Sequence, residues 1–469
     1  MFSVNLLIKL LVVCSCVCMA WAIPEQFENT KIIRTFDLKS AIAHEESGIR
    51  AKNIASEPVS DYYFYLPGII YNSTASITAS LRKEKTPLTI TQMEKDAVKD
   101  LNIFKVALNQ PLSPQEEVLL SVKIAYVHAV KPMPTKLPQL ARQHTIFPFS
   151  TFFTTPYHTK EIKTVLTTPS KNIVTHTGAT GHVTIKENKV TYGPFTNVQP
   201  LAFELSTLHY ENGKPMLTVT ELVRDLEVSH WGKNLAVEEH YALRNDGAKL
   251  EKEFSRVQYQ LTAQVHDQTN MLKSLSFDLP ASARDPYYRD EVGNVSTSNF
   301  RVESTKSVLE IRPRYPLFGG WNYTWYHGYN ADLGSFVHRA EGGKYILNVN
   351  FVENVKEMTL DHVVVRAVLP EGATNIKVHT PFAIDSQEIT THFTNFDSTG
   401  RVMVILKKKN VIREHEAPIQ IEYEYPTLRL LQKPVVASVA IFVLFMASIA
   451  LSKVPFTIGN EKKSVLKTE

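Results

Sequence analysis

The sequence predicts a mainly β protein: two β-sandwich-like domains, residues 23–225 and 226–425, followed by one membrane-spanning helix at 434–452. Three observations predict it. Short runs that alternate polar and apolar residues recur along most of the chain. All three cysteines fall in one apolar N-terminal segment. A single uncharged apolar stretch of spanning length lies near the C-terminus.

The alternating runs include "NTKIIRTFDL", "SDYYFYLP", "EEVLLSVKIAYVHAV", "PMLTVTELVRDLEV", "FSRVQYQLTAQV", "GGKYILNVNFV", "DHVVVRAVLPEG" and "PIQIEYEYP". Successive strand side chains point to opposite faces, so these runs bury one face and wet the other, as antiparallel sheets do. The 25 prolines and 19 tyrosines favour strands and loops over long helices. "ENG" (211–213), "NDG" (245–247) and "PEG" (370–372) mark turns. One segment departs from the pattern. "TITQMEKDAVKDLNI" (89–103) predicts a helix, with Thr91 and Glu94 as its capping box. The proline-rich stretch 128–159 predicts an irregular surface excursion. A weak internal echo supports two domains: strand, polar turn, strand and aromatic alternation follow Thr30 and recur from about Asp225.

The termini set the topology. After Lys9, "LLVVCSCVCMA" leads to the small-x-small site "AWA", which predicts a signal peptide over residues 1–22, cut between Ala22 and Ile23. Cys14, Cys16 and Cys18 lie inside it, so the mature chain is expected to have no disulfide, thiolate metal site or cysteine nucleophile. Val435–Ser452 is uncharged between Lys433 and Lys453. A spanning helix needs about 20 residues. A cleaved signal followed by this segment predicts a single-pass type I protein, its bulk in the lumen and residues 453–469 in the cytosol. Ala437, Ala440, Ala447 and Ser448 form a small-residue stripe on which another helix could pack.

Function is constrained mostly by exclusion. A net charge of +4 without a long basic run gives no reason to expect nucleic acid. GxSxG, Walker and GxGxxG patterns are missing. The densest titratable cluster is "VSHWGKNLAVEEHYALRNDG" (228–247), with His230, Glu238, Glu239 and His240. A zinc peptidase of the HExxH type needs its histidines one helical turn apart, whereas this segment alternates as a strand. Glu238 and His240 then share one face, and Val237, Glu239, Tyr241 and Leu243 the other. The two glutamates cannot act as a pair, and His230 and Trp231 are expected to pack at a strand end. Asp285 and Asp290 in "ARDPYYRDEVGN" fit no calcium loop and predict a surface turn. No catalytic residue, cofactor or metal site is therefore expected. The aromatic segment 313–330 predicts an irregular, aromatic-packed corner, with an interface as the second reading. Sequons place candidate N-glycans on Asn72, Asn294 and Asn322, the last at risk of burial among the aromatics.

Longer blocks carry a resemblance. "YGPFTNVQP" (192–200), "HYENGKPMLTVTELVRDLEVSHWGKNLAVEEHYALRNDGAKLEKEFSR" (209–256), "LPASARDPYYRDEVGNVSTS" (279–298) and "RPRYPLFGGWNYTWYHGYN" (312–330) resemble the ribophorin I family, the large type I subunits of the oligosaccharyltransferase complex. The resemblance implies a noncatalytic subunit in the endoplasmic reticulum membrane. The complex transfers a preassembled oligosaccharide from dolichyl diphosphate to Asn of Asn-x-Ser/Thr in nascent polypeptides. A separate multispanning subunit does the chemistry and holds the divalent metal, so no catalytic residue carries over. The implied partners are the other subunits, the nascent polypeptide, the membrane and the translocon. Animal members continue into a sizeable cytosolic segment, so the short tail here implies a fungal-like member and puts ribosome contact through the tail in doubt. Two rival readings stand beside it: a lumenal glycoside hydrolase or peptidase, and a type I cell-surface adhesion or receptor protein. The cysteine-free mature chain argues against the second.

Overall fold

The computed structural model describes residues 25–82, 86–96, 99–178, 181–262, 270–394 and 397–454. The expected cleavage at Ala22 and Ile23, and the tail beyond 454, lie outside the described residues.

Strands dominate, and their order shows that the chain is built twice on one plan. In the large sheet of the first half, neighbouring strands run 183–186, 189–198, 159–167, 27–37, 43–53, 117–126 and 74–81. In the large sheet of the second half they run 386–392, 401–411, 358–368, 217–229, 234–245, 322–332 and 284–290. The two series match strand for strand in chain order. They also match in direction. Phe27–Asp37 runs parallel to Thr159–Thr167, and Leu217–Ser229 runs parallel to Met358–Val368. A smaller sheet repeats as well: 173–176, 205–211, 144–150 and 131–132 correspond to 374–379, 418–424, 344–350 and 337–339. The sequence echo near Thr30 and Asp225 is the opening hairpin of each copy.

Each copy buries aromatic and β-branched side chains against its large sheet. Ile32, Phe36, Tyr62, Phe64, Phe104, Phe147 and Phe149 fill the first core. Leu222, Leu226, Tyr241, Phe277, Trp325 and Ile421 fill the second. Each such side chain contributes about 1.5–3 kcal/mol by leaving water. The alternation responsible is visible in Asn234–Asn245, whose residues are alternately half-exposed and buried along the whole strand.

Five expectations need correction. The run 254–265 alternates as a strand would, yet Arg256–Thr262 is a short helix, because among the described residues no strand lies beside it to pair with. The division placed between 225 and 226 falls inside the strand Leu217–Ser229, which pairs along its length with Asn234–Asn245; the sheets change over between Glu211 and Leu217. The helix expected at 89–103 is absent among the described residues. Pro87–Gln92 is a strand paired with Leu101–Leu112, and Asp96 bridges back to Leu101. Its β-branched residues gain a sheet partner, and tertiary pairing outweighs the local capping signal.

The proline-rich excursion is a seam between the halves rather than a surface loop. Lys136–Leu137 pairs with Lys249–Leu250. The Gln143 amide, buried, donates to the carbonyls of Asn212 and Lys214 and accepts from the Ala248 N–H at 2.9 Å. Ile42, Ala125 and Val127 pack on Ile412 across the same seam. His128 pairs with Asp361 at 2.7 Å and His44 with Glu414 at 3.2 Å. Finally, the aromatic segment is an irregular corner only over its first half, 313–321. Asn322–Asp332 is a strand between Asn234–Asn245 and Arg284–Asp290, and Tyr323, Trp325 and Tyr329 point into the core.

Candidate functional site

The titratable cluster singled out in the sequence sits on the second opening hairpin. Its register sets Arg224 opposite Glu239, Asp225 opposite Glu238, and Val223 opposite His240. The next strand sets His327 beside Glu239 and Tyr326 beside His240. Cross-strand neighbours share a face, so the cluster divides into a buried group and an outward group, as the alternation of Glu238 and Glu239 requires.

The buried group centres on Arg224, whose side chain is 1% exposed. Its guanidinium lies 2.8 Å from Glu239 and 2.9 Å from Glu353. Burial opposes the charge, but the two carboxylates hold the Arg224 pKa above its ordinary value. The Tyr241 hydroxyl donates to Glu239 at 2.8 Å, and burial beside that carboxylate pushes the Tyr241 pKa well up. The Trp325 indole N–H donates to Nδ1 of His327 at 3.3 Å. This leaves the imidazole proton on Nε2, which faces Glu239 at 3.4 Å. Burial, and next the Arg224 charge, lower the His327 pKa to about 3, so His327 is neutral near pH 7. A related pairing stands in the first copy. Arg34 meets Glu45 at 2.8 Å, and the Tyr126 hydroxyl donates to Glu45 at 2.7 Å. Both networks are closed to solvent, so their chemistry is to hold strands together.

The outward group brings Asp225, Glu238 and His240 together, with potential ligand atoms within 4.8 Å of one another. Each is already engaged. Arg366 grips both oxygens of Asp225. His240 meets Glu238 at 2.8 Å and stacks on Tyr326, and the Tyr287 hydroxyl donates to Glu238. With the guanidinium balancing Asp225, a cation has little to gain here. A shallow cleft of about 350 Å³ borders this face, with Glu291 and Thr324 on its rim. Asp225 was not anticipated from the sequence. Only the hairpin register places it opposite Glu238, and the turn residues that set that register were the available signal.

The remaining candidates divide similarly. His230 packs as expected: it meets the Tyr423 hydroxyl at 2.8 Å and stacks on Tyr425, and burial lowers its pKa. Trp231 does not pack beside it and is 71% exposed. Asp285 and Asp290 lie in the strand Arg284–Asp290 rather than on a surface turn, and Asp290 is buried at its end: it accepts from the Val292 and Gly293 N–H groups and pairs with Arg314, whose hydrogen bond holds its pKa low. Asn72, Asn294 and Asn322 are all exposed, so the aromatic neighbours do not bury Asn322. At the C-terminus, Leu428–Ser452 is an apolar helical stretch with mean hydropathy 2.5, and its most apolar window is unburied by the rest of the chain.

The sequence profile of one family, Ribophorin I, matches residues 27–452. The chain belongs to the ribophorin I family. Among relatives, it is 33% identical over 424 residues to a protein of Arabidopsis thaliana, covering 89% of this chain and 90% of that one. It is 35% identical over 382 residues to a protein of Oryza sativa, covering 81% and 80%. A Caenorhabditis elegans protein is 31% identical over 438 residues, covering 93% and 74%. The plant proteins are named dolichyl-diphosphooligosaccharide–protein glycosyltransferase subunit 1B, and the nematode protein subunit 1. The ribophorin I match takes in both sandwich copies and the apolar helix, and it leaves the cell-surface adhesion reading without support.

Proposed function

We propose that this chain is a noncatalytic accessory subunit of the oligosaccharyltransferase complex of the endoplasmic reticulum membrane. The carrying observation is the ribophorin I match from residue 27 to residue 452, with relatives named as subunit 1 of that glycosyltransferase. In this reading both sandwich copies lie in the lumen and Gln432–Ser452 crosses the membrane once. The chain stabilises the complex and helps present acceptor polypeptide, delivered from the translocon, to a separate catalytic subunit. Geometry supports the noncatalytic part: the residues that looked like acid–base chemistry are locked in buried or paired contacts. The exposure of Asn72, Asn294 and Asn322 supports glycosylation of this chain itself.

The test is co-purification of the tagged full chain from detergent-solubilised membranes. Recovery with the other subunits of the transferase is the expected result. Recovery of the chain free of all of them overturns the proposal. Glu239→Gln and His240→Ala variants that still assemble should support normal transfer. Loss of transfer by assembled complexes carrying them would return the site to catalysis.

A further inference from the structure

The strand ends that face the apolar helix carry an exposed apolar rim. The hairpin turn 230–233, the connection 369–373, residues 393–394 and 397–400 after the strand Ser386–His392, and the segment 425–431 all gather at one end of the second sandwich. His230 stacks on Tyr425 with ring centroids 5.0 Å apart, placing the neighbouring Trp231 beside the chain's approach to the helix. On this rim Trp231 is 71% exposed, Phe393 65%, Leu428 83% and Leu431 58%.

The helix is also clasped to this end. Lys433 Nζ meets Asp397 at 2.7 Å, and the Gln432 amide donates to Ser398. Asp397 is further held by Thr394 and by Arg401 at 3.3 Å. The short helical turn Thr427–Leu431 runs directly into Gln432–Ser452. A helix tied this way cannot enter a bilayer without bringing the rim down to the headgroups. Exposed Lys233 and Arg429 flank the apolar side chains with positive charge.

We propose that this rim lies in the lipid headgroup layer, with Trp231, Phe393, Leu428 and Leu431 as its anchors. Tryptophan is favoured at this depth because its ring is apolar and its N–H finds water or lipid oxygen. The apolar side chains leave water there, and the cations meet lipid phosphate. The clasp then fixes how the second sandwich stands on the membrane. The inference rests on the reading that Gln432–Ser452 spans the bilayer.

Tryptophan fluorescence tests it. The full chain and its Trp231→Phe variant are reconstituted into phosphatidylcholine vesicles containing phosphatidylserine. The difference between their emission spectra isolates Trp231 from half-buried Trp321 and buried Trp325. Lipids brominated near the top of the acyl chain should remove most of that difference signal, and aqueous acrylamide little of it. Quenching by acrylamide and not by bromolipid overturns the proposal. So does protection from both, which would mean that a second copy covers the rim. Flotation with the vesicles after alkaline washing reports the span separately. A chain that fails to float defeats the spanning reading, whereas one that floats with Trp231 open to acrylamide defeats this inference alone.

Discussion

Arg224 and Glu239 face each other across the second opening hairpin, and their charges meet at 2.8 Å where neither side chain is more than 4% exposed. The pair holds the hairpin to the strand that carries His327 and to the segment that carries Glu353.

Removing one member strands the others. Arg224→Met leaves Glu239 and Glu353 without their cation and should cost about 3–5 kcal/mol, the usual consequence of an uncompensated buried charge. Glu239→Gln keeps the Tyr241 contact and leaves Arg224 with Glu353, so its cost should be smaller. Guanidinium denaturation followed by tryptophan emission checks the order. Equal costs would show that Glu353 contributes nothing.

Asn53 and Asn245 occupy matching positions at the ends of the second strand of each copy, and both are fully buried. The Asn245 amide donates to the carbonyls of Asn270 and Leu317, and its oxygen accepts from Met216 and Gly247. Asn53 donates to Leu112 and Glu57 and accepts from Ala55. Alanine at either position should cost on the order of 1–3 kcal/mol for each buried group left unpaired. A thermal melt of each variant checks this. A neutral Asn245→Ala would mean that water replaces the lost contacts.

Two classes of histidine carry opposite pH signs. His327 is depressed to about 3 by burial and by Arg224. Its folded form stays neutral, so its contribution is intact above the unfolded value of about 6.5 and is lost as pH falls towards 3. His128 and His44 are raised, chiefly by their hydrogen bonds to Asp361 and Glu414. Their stabilisation is full below about 6.5 and lost as pH rises through the raised values. For His44 the window closes again in acid: burial opposes ionisation of Glu414, but its bond to His44 holds the pKa low, and the pair is lost once pH falls through it. Both histidines are half-exposed, so each pair is worth at most about 1 kcal/mol. Stability measured against pH should steepen on the alkaline side for wild type, and His44→Gln with His128→Gln should flatten that limb. His327→Phe should flatten the acid limb alone.

Each sequon should answer independently. Asn72, Asn294 and Asn322 are exposed, so each Asn→Gln change should remove one glycan-sized step from the mobility of the full chain. Endoglycosidase treatment should collapse wild type and variants to one band. A position whose substitution leaves mobility unchanged is unoccupied.

Much of this was legible locally. Period-two alternation predicted the strands and correctly separated Glu238 from Glu239, because a strand's side chains alternate whatever they pack against. The uncharged run near the C-terminus predicted its helix for a similarly local reason: a bilayer-length apolar segment needs no partner to declare itself. Blocks of residues carried the family resemblance, and with it the expectation of function. Other features are products of pairing over long separations. The strand at 87–92 depends on residues 104–107, which no capping signal reports. Asp225 reaches Glu238 only through the hairpin register, and Arg224 finds Glu353 across a separation no local pattern encodes. The aromatic segment after Pro313 reads as a corner until Asn234–Asn245 and Arg284–Asp290 take their places on either side of it. The sequence by itself determined the class of the fold, the apolar C-terminal helix and the family. Only the tertiary structure decided which charges are buried partners, that the fold is built twice, and where one copy ends, because cross-strand contacts depend on how distant segments meet.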